Sequence, residues 1–151
     1  MLKCRPVSIW SWNFEISGSS TGPILTSLDR KTGGGTNDHA GHRYAITKQK
    51  GRGLGQWTMK ADATTYAEAM VMSVGISKIE FTTPAGVLKA KALPFNRTYD
   101  FFAQERQVGT VRPHHLLTRK STIDFTGEVA ELTQVFCFWV AAVHWYYGSQ
   151  D

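Results

Sequence analysis

The strongest hydrophobic pattern lies in the last quarter of the chain, where residues 128–147 read EVAELTQVFCFWVAAVHWYY. The polar residues of this stretch gather in its first two turns, and from residue 136 to residue 147 only His144 interrupts the apolar run. A helix that is apolar on every face must be enclosed by protein or by lipid. The sequence therefore predicts a helix at about residues 128–147, and the surroundings of that helix decide the fold.

Most of the remaining chain alternates apolar and polar residues with a period of two, which is typical of half-buried strands. In residues 9–17, Trp10, Trp12, Phe14 and Ile16 share one face. This pattern predicts roughly eight to ten strands in all. The others lie at residues 24–28, 42–48, 56–62, 76–82, 87–93, 98–103, 108–112 and 121–125.

Two stretches do not follow the alternation. Residues 66–74, YAEAMVMSV, favour a helix by propensity, but their length and their position between strands favour a strand, which is our interpretation. Residues 31–41, KTGGGTNDHAG, contain three consecutive glycines and no apolar period. They predict a flexible, glycine-rich surface loop.

Two kinds of surroundings could enclose the apolar helix. Twenty residues of helix span about 30 Å, which is long enough for a bilayer, so a C-terminal membrane anchor is an alternative. The uninterrupted apolar core is short for a span, however, and Glu131 and His144 would lie in or near the hydrocarbon. The strands also need something to cover their inner faces. We therefore expect a mostly β (α+β) fold, in which one domain of residues 1–151 forms an antiparallel β-barrel around a central hydrophobic C-terminal helix.

Composition and charge narrow the function only a little. The chain has 151 residues, a net charge of +5 and a pI of about 9.4. This balance permits an anionic partner, but the basic residues are spread along the chain, so a solvated basic surface without a partner explains it equally well. We expect a monomer that does not bind nucleic acid.

The two cysteines and the N-terminal sequence bear on the compartment. Cys137 lies in the apolar helix and is expected to be a small buried hydrophobic residue, whereas Cys4 lies near a terminus that we expect to be frayed. Two cysteines do not make a secreted disulfide framework, and a bridge between them has no support in the sequence. The opening MLKCRPVSIWSW lacks the pattern of a signal peptide. We expect a cytoplasmic protein, peripheral at membranes if it binds lipid, and not a secreted one.

No motif in the sequence indicates an enzyme, a metal site or a cofactor. His39 and His42, together with Asp38, fit no standard metal-binding spacing. His144 is more simply a core histidine that donates to a carbonyl of the barrel wall than a ligand or a base. Asp100 and Asp124 fit turn caps or partners of arginines better than an acid–base pair. We therefore predict no catalytic residue, no metal and no cofactor.

The second half of the chain resembles a known family. The carrying motifs are YDFF at residues 99–102, VGTVR at residues 108–112, STIDF at residues 121–125 and the apolar helix that follows. From residue 79 onward this succession resembles the tubby C-terminal-like superfamily, especially its LURP-one-related branch, with the phospholipid scramblases as more distant relatives. The resemblance implies an antiparallel barrel, nominally of twelve strands, with the C-terminal helix threaded through it. The first half of the chain fits only as generic hairpins.

The resemblance also suggests where a ligand would bind, because tubby proteins bind phosphoinositide headgroups through basic side chains on the barrel surface. The basic side chains that we consider are those of Lys48, Lys50, Arg52, Arg112, Arg119 and Lys120. The first three lie at a predicted hairpin tip, and a solvated hairpin is the simpler explanation of that group. Those three do not align with the headgroup-binding motif of the family. Arg112, Arg119 and Lys120 form a second basic cluster, for which a solvated surface is again the simpler explanation.

Two functional hypotheses follow. The first is a non-enzymatic module that binds anionic phospholipid, phosphoinositide headgroups or a protein partner through a basic outer surface. The second is a scramblase-like or tail-anchored membrane protein that uses residues 128–147 as its anchor. They differ in whether the apolar helix lies inside a closed barrel.

Overall fold

The fold is a closed barrel of antiparallel strands around one helix. A computed structural model describes residues 1–49, 54–73, 77–92, 97–114 and 118–148. Its twelve strands follow one another around the barrel in chain order, and the first strand closes the barrel against the last. Their bounds are β1 Leu2–Pro6, β2 Phe14–Ser17, β3 Ile24–Leu28, β4 Gly35–His39, β5 His42–Lys48, β6 Gln56–Ala61, β7 Thr64–Ser73, β8 Ser77–Thr83, β9 Gly86–Ala92, β10 Tyr99–Ala103, β11 Arg106–Pro113 and β12 Ser121–Phe125.

The C-terminal helix, α1 Glu131–Gly148, fills the interior of this barrel. It begins three residues later than the sequence predicts, and every residue from 135 to 143 is buried. Rings from opposite walls pack against it: Phe14 of β2 lies 5.1 Å from Phe138, and Phe81 of β8 lies 5.8 Å from Phe136, both measured between centroids. The expected barrel around a central helix is confirmed. Within the described part of the chain, no helix has the length and apolar character that a membrane span requires.

The strand count exceeds the expected eight to ten, and part of the excess comes from the N-terminus. We expected a frayed end there, but β1 pairs with both β2 and β12, and Cys4 in β1 is only 3% exposed. The predicted strand at residues 9–17 is wrong in its first half, because β2 begins only at Phe14 and Trp10 is 80% exposed. The two aromatic residues Trp10 and Trp12 therefore lie in the β1–β2 loop.

The predicted loop at residues 31–41 is also wrong in part, because Gly35–His39 is strand β4. It pairs with β3 on one side and β5 on the other. A Cβ atom at Gly35 would lie 1.9 Å from the backbone oxygen of Ser27, so only glycine lets the two strands approach. Asn37 of this strand points inward and is fully buried. The polar sequence GTNDH therefore forms a strand of the barrel wall. Its inward positions lack large apolar side chains, so the period-two pattern does not reveal this strand.

Residues 66–73 of the ambiguous segment are a strand, as expected, and form most of the ten-residue β7, while residue 74 lies outside the described residues. Its inward residues Ala67 and Ala69 are 1% and 0% exposed. Small inward side chains take up little of the interior that α1 fills, so this segment is compatible with the barrel wall despite its helical propensity.

The antiparallel order gives the barrel two ends. We call the end at which α1 begins the entry end, formed by residues 18–23, 40–41, 62–63, 84–85, 104–105 and 126–130. We call the end at which α1 ends the exit end, formed, as far as it is described, by residues 7–13, 29–34, 49, 54–55, 97–98, 114 and 118–120. Successive loops alternate between the two ends, so neighbouring loops in the sequence lie on opposite sides of the molecule.

Candidate functional site

The two ends of the barrel carry opposite charge. The entry-end loops, all of whose residues are described, hold Asp62, Glu105 and Glu128 and no lysine or arginine side chain. The described exit-end loops hold one acidic side chain, Asp29, and five basic ones. These are Arg30, Lys31, Arg97, Arg119 and Lys120. Lys48, the last residue of β5, adds a further positive charge at the exit end, whereas Arg106, the first residue of β11, lies at the entry end and pairs with Glu128 there.

A chain of aromatic rings lies at the centre of the exit end. Tyr146 and Tyr147, in the last turn of α1, have ring centroids 5.1 Å apart. Trp12 of the β1–β2 loop meets Tyr146 edge to face at 5.3 Å. The rings therefore connect the end of the helix to the rim of the barrel.

Three of the cations lie against these rings. The guanidinium carbon of Arg30 is 5.6 Å from the centroid of Tyr146, and that of Arg119 is 5.1 Å from the centroid of Trp12. The Nζ atom of Lys48 is 5.4 Å from the centroid of Tyr147. At partly exposed sites such contacts contribute about 0.5–1 kcal/mol each.

A structural reading accounts for these three cations. The last turn of α1 contains no basic residue of its own, although the C-terminus of a helix carries partial negative charge. Arg30 of the β3–β4 loop and Lys48 at the end of β5 supply positive charge there. Arg30 and Lys48 therefore already interact with the end of the helix. The residues best placed to bind an external partner are Lys31 and Lys120, which are exposed.

Arg119 has a distinct structural role. Its guanidinium donates to the backbone oxygens of Ser8, at 3.3 Å, and of Ile9 and Ser11. Burial, and then the neighbouring Arg30, lowers the pKa of Arg119 from its ordinary value, although an arginine stays charged at any pH at which the protein is folded. Arg119, predicted as a headgroup-binding residue, is thus directed at a loop of its own chain.

The structure brings some of the predicted basic residues together and separates others. Lys48 is far in the sequence from the adjacent residues Arg119 and Lys120, but all three lie at the exit end. Arg112 is exposed on the outer wall, one residue before the end of β11. Lys50 and Arg52 lie outside the described residues.

Sequence reasoning missed Arg30 and Lys31, because they belong to the segment that we interpreted as a glycine loop and its approach. It also missed the separation of charge, because the basic residues look evenly spread when they are counted along the chain. The available signal was the strand order: summing charge over alternate loops of an antiparallel barrel separates the two ends.

The entry end is held by a polar cluster around the first residue of α1. Glu131 accepts from Ser19 Oγ at 2.5 Å and contacts His39 Nε2 at 2.9 Å. Partial burial raises the pKa of Glu131, but the hydrogen bonds from Ser19 and His39 outweigh burial and hold that pKa below its ordinary value. Asp38 pairs with Arg43, with 2.7 Å between Oδ1 and Nε. The three side chains considered as metal ligands are therefore not gathered at one site, and the described residues contain no group of three or more such side chains.

The remaining groups of chemical interest are structural in this fold. His144 Nδ1 lies 2.8 Å from the carbonyl of Val140 in its own helix, so the expected bond to a carbonyl of the barrel wall is wrong. Cys137 is fully buried, and burial raises the pKa of its thiol well above the usual range. Asp100 and Asp124 flank Thr110 on neighbouring strands. Asp100 accepts from Gln107 rather than from an arginine, at 3.3 Å.

No family model, no curated protein sequence and no solved structure matches the chain.

Proposed function

We propose that this protein is a non-enzymatic module that binds anionic phospholipid surfaces through the exit end of its barrel. The observation that carries the proposal is the separation of charge between the two ends. A rigid barrel with basic loops at one end and acidic loops at the other meets a negative surface in one orientation, because the other orientation is repelled. Each lysine or arginine near an anionic membrane surface contributes about 1 kcal/mol to binding.

The proposal includes membership of the tubby C-terminal-like superfamily, in its LURP-one-related branch. It rests on the motifs at residues 99–102, 108–112 and 121–125 and on the apolar helix after them. The twelve-stranded barrel with α1 inside it agrees with the fold that this resemblance implies. Phosphoinositides are accordingly the first anionic lipids to test.

The tail-anchored alternative requires the helix to lie in the membrane and not inside the barrel. As an anchor, α1 would have to leave the barrel and expose all of its buried side chains, twelve in number, from Leu132 to Trp145. A scramblase-like anchor would stay with the membrane in alkaline carbonate, whereas a surface-bound module would be released. Retention in the carbonate pellet would favour the alternative.

The test of the proposal is sedimentation with vesicles of phosphatidylcholine alone, with added phosphatidylserine, or with added phosphatidylinositol bisphosphate. We expect binding only to the anionic vesicles, weakening as salt screens the charges. The double variant Lys31→Glu with Lys120→Glu should weaken that binding by at least about thirtyfold, because two attractive charges become repulsive.

The matched control is Lys60→Glu with Lys89→Glu, which makes the same change in net charge on exposed side-wall positions of β6 and β9, away from the exit end. It should retain most of the binding. Equal recovery of the protein on neutral and anionic vesicles would overturn the proposal, as would equal losses in the two double variants.

A further inference from the structure

The β1–β2 loop of residues 7–13, which we call the tryptophan loop, exposes the most apolar segment of the exit end. Trp10 is 80% exposed, Ile9 is 77% exposed and Val7 is 63% exposed. Single exposed apolar residues are common on protein surfaces, but three within four positions of one loop are not. Packing inside the barrel does not account for them, because their side chains face outward.

The backbone of the tryptophan loop is nevertheless tightly held. Val7 N donates to Asn13 O at 2.9 Å and closes the base of the loop. The carbonyls of Ser8 and Ser11 accept from Arg119, and the carbonyl of Trp10 accepts from Arg30 Nη2 at 3.0 Å. Arg119 also reaches the carbonyl of Ile9. Four consecutive carbonyls are thus satisfied by two arginines from other loops.

This arrangement suits entry into a membrane interface. A backbone carbonyl that leaves water without a partner costs several kcal/mol, so an ordinary loop resists insertion. Here the carbonyls keep charged donors when water is removed, while the large apolar side chains that are most exposed are those of Trp10 and Ile9. Tryptophan, like tyrosine, is enriched at the headgroup level of membranes.

The charges around the tryptophan loop indicate that the matching membrane is anionic. Arg30 and Arg119 contact its backbone, and Lys31 and Lys120 follow them directly in the chain, both exposed. The loop itself contains no charged residue. An apolar tip surrounded by cations complements an anionic bilayer, in which apolar chains lie beneath negative headgroups.

We infer that the tryptophan loop is a membrane-insertion element that places Ile9 and Trp10 at the boundary between the headgroups and acyl chains of an anionic bilayer. Arg30 and Arg119 hold the loop in its inserting conformation. The inference rests on the proposed function and adds to it a point of penetration, which electrostatic attraction alone does not require.

The first experiment compares Ile9→Asp with Val87→Asp on phosphatidylcholine vesicles that contain phosphatidylserine. Val87 is an exposed apolar residue of β9, two residues from the entry-end loop 84–85, so its variant makes the same change in charge at the other end. Ile9→Asp should bind roughly tenfold more weakly than the wild type, as expected for losing one buried aliphatic side chain. Val87→Asp should bind like the wild type. Both positions are exposed, so neither change threatens folding.

The second experiment measures depth. Vesicles whose acyl chains carry bromine quench only tryptophans that reach the hydrocarbon. The chain has five tryptophans, so the difference between the wild type and Trp10→Phe isolates the signal of Trp10. We expect quenching in the wild type and little in Trp10→Phe, with sedimentation of the variant largely retained because phenylalanine also inserts.

The outcomes separate the two proposals. Binding to anionic vesicles with equal affinities for Ile9→Asp and Val87→Asp, or with quenching that Trp10→Phe does not change, would overturn the insertion loop and leave the electrostatic function in place. No binding of the wild type to any anionic vesicle would overturn both, and the exposed loop would then be a candidate contact for a protein partner.

Discussion

The indole nitrogen of Trp139 in α1 donates to the backbone oxygen of Ser27 in β3, at a distance of 2.8 Å. This bond ties the central helix to the barrel wall at the place where β4 passes closest. Gly35 lies beside both groups, and a Cβ atom there would be 1.9 Å from the Ser27 oxygen and 3.0 Å from the indole nitrogen. The position admits no side chain, because the nearest atom belongs to backbone and cannot rotate away.

We therefore predict that Gly35→Ala destabilises the protein by about 3 kcal/mol, at the upper end of the cost of overpacking. The measurement is the free energy of unfolding from urea titration. Gly127→Ala is the control, since a Cβ atom there meets nothing within 4 Å. Similar stabilities of the two variants would mean that β3 and β4 can separate without cost.

A second prediction concerns the middle of the helix. Ala141 is 1% exposed and lies inside the barrel. Proline at this position removes a helical hydrogen bond and clashes with the preceding turn, at a cost of ~3 kcal/mol or more. Because α1 fills the interior of the barrel and its residues 135–143 are all buried, we expect Ala141→Pro to give insoluble protein rather than a locally frayed helix.

The control at the same position is Ala141→Gly, which costs only about 1 kcal/mol in a helix interior and should remain folded. Solubility on expression and the circular dichroism of any soluble fraction provide the measurement. A soluble, folded Ala141→Pro variant would contradict the role of α1 as the core of the barrel.

The core of this fold could be predicted from the sequence because its signals are strong and local. The apolar run from residue 136 to residue 147 needs enclosure, and strands such as β8, with Ile79 and Phe81 inward, alternate clearly. Together these signals predict a barrel around the helix. β1 was missed because its inward residues, Leu2 and Cys4, are too few to show a period.

β4 could not be recognised for a different physical reason. Its inward positions hold Gly35, which allows β3 and β4 to approach closely, and Asn37, which is a buried polar residue. Neither is a large apolar residue, so the strand shows no apolar alternation. The charge asymmetry between the two ends of the barrel was not predicted for a third reason. It is a property of alternate loops, so it becomes visible only when the strand order is known. Lys48 was assigned to one basic group and Arg119 and Lys120 to another, but the common location of the two groups at the exit end was not predicted.

A third prediction follows from the lowered pKa of Glu131. Since the folded pKa lies below the unfolded value of about 4.3, the stabilisation is fully present above that pH and is lost as the pH falls through the folded pKa. We expect the wild type to lose more thermal stability than Glu131→Gln between pH 5 and pH 3. Ser19→Ala, which removes one of the two donors, should give an intermediate profile. Parallel profiles for all three proteins would refute this assignment.

A fourth prediction concerns the cysteines. Both are free and buried, Cys4 in the barrel wall and Cys137 in the helix, and burial raises the pKa of each thiol. Thiolate is the reactive form, so neither should react quickly in the native protein. A chromogenic thiol reagent should therefore detect almost no thiol under native conditions and two thiols after unfolding, without prior reduction. Fewer than two thiols in the unfolded protein would indicate a disulfide, and rapid native reaction would place Cys4 outside the barrel wall.

The last prediction concerns His144, which packs at 5.4 Å from the ring of Trp57 and donates from Nδ1 to Val140 O. Burial lowers the pKa of His144, and the nearby Lys48 adds to this effect. Below the ordinary histidine pKa of about 6.5 the unfolded chain therefore gains a proton that the folded protein does not accept, so stability falls as the pH decreases.

The test is His144→Phe, which keeps an aromatic ring against Trp57 but cannot titrate. Relative to its value at pH 8, the melting temperature of the wild type should fall more between pH 7 and pH 5 than that of the variant. Other histidines remain in both proteins, so the difference between the two curves isolates His144. A difference that does not change with pH would mean that His144 accepts its proton as easily in the barrel as in water, and that the exit end of the helix is open to solvent.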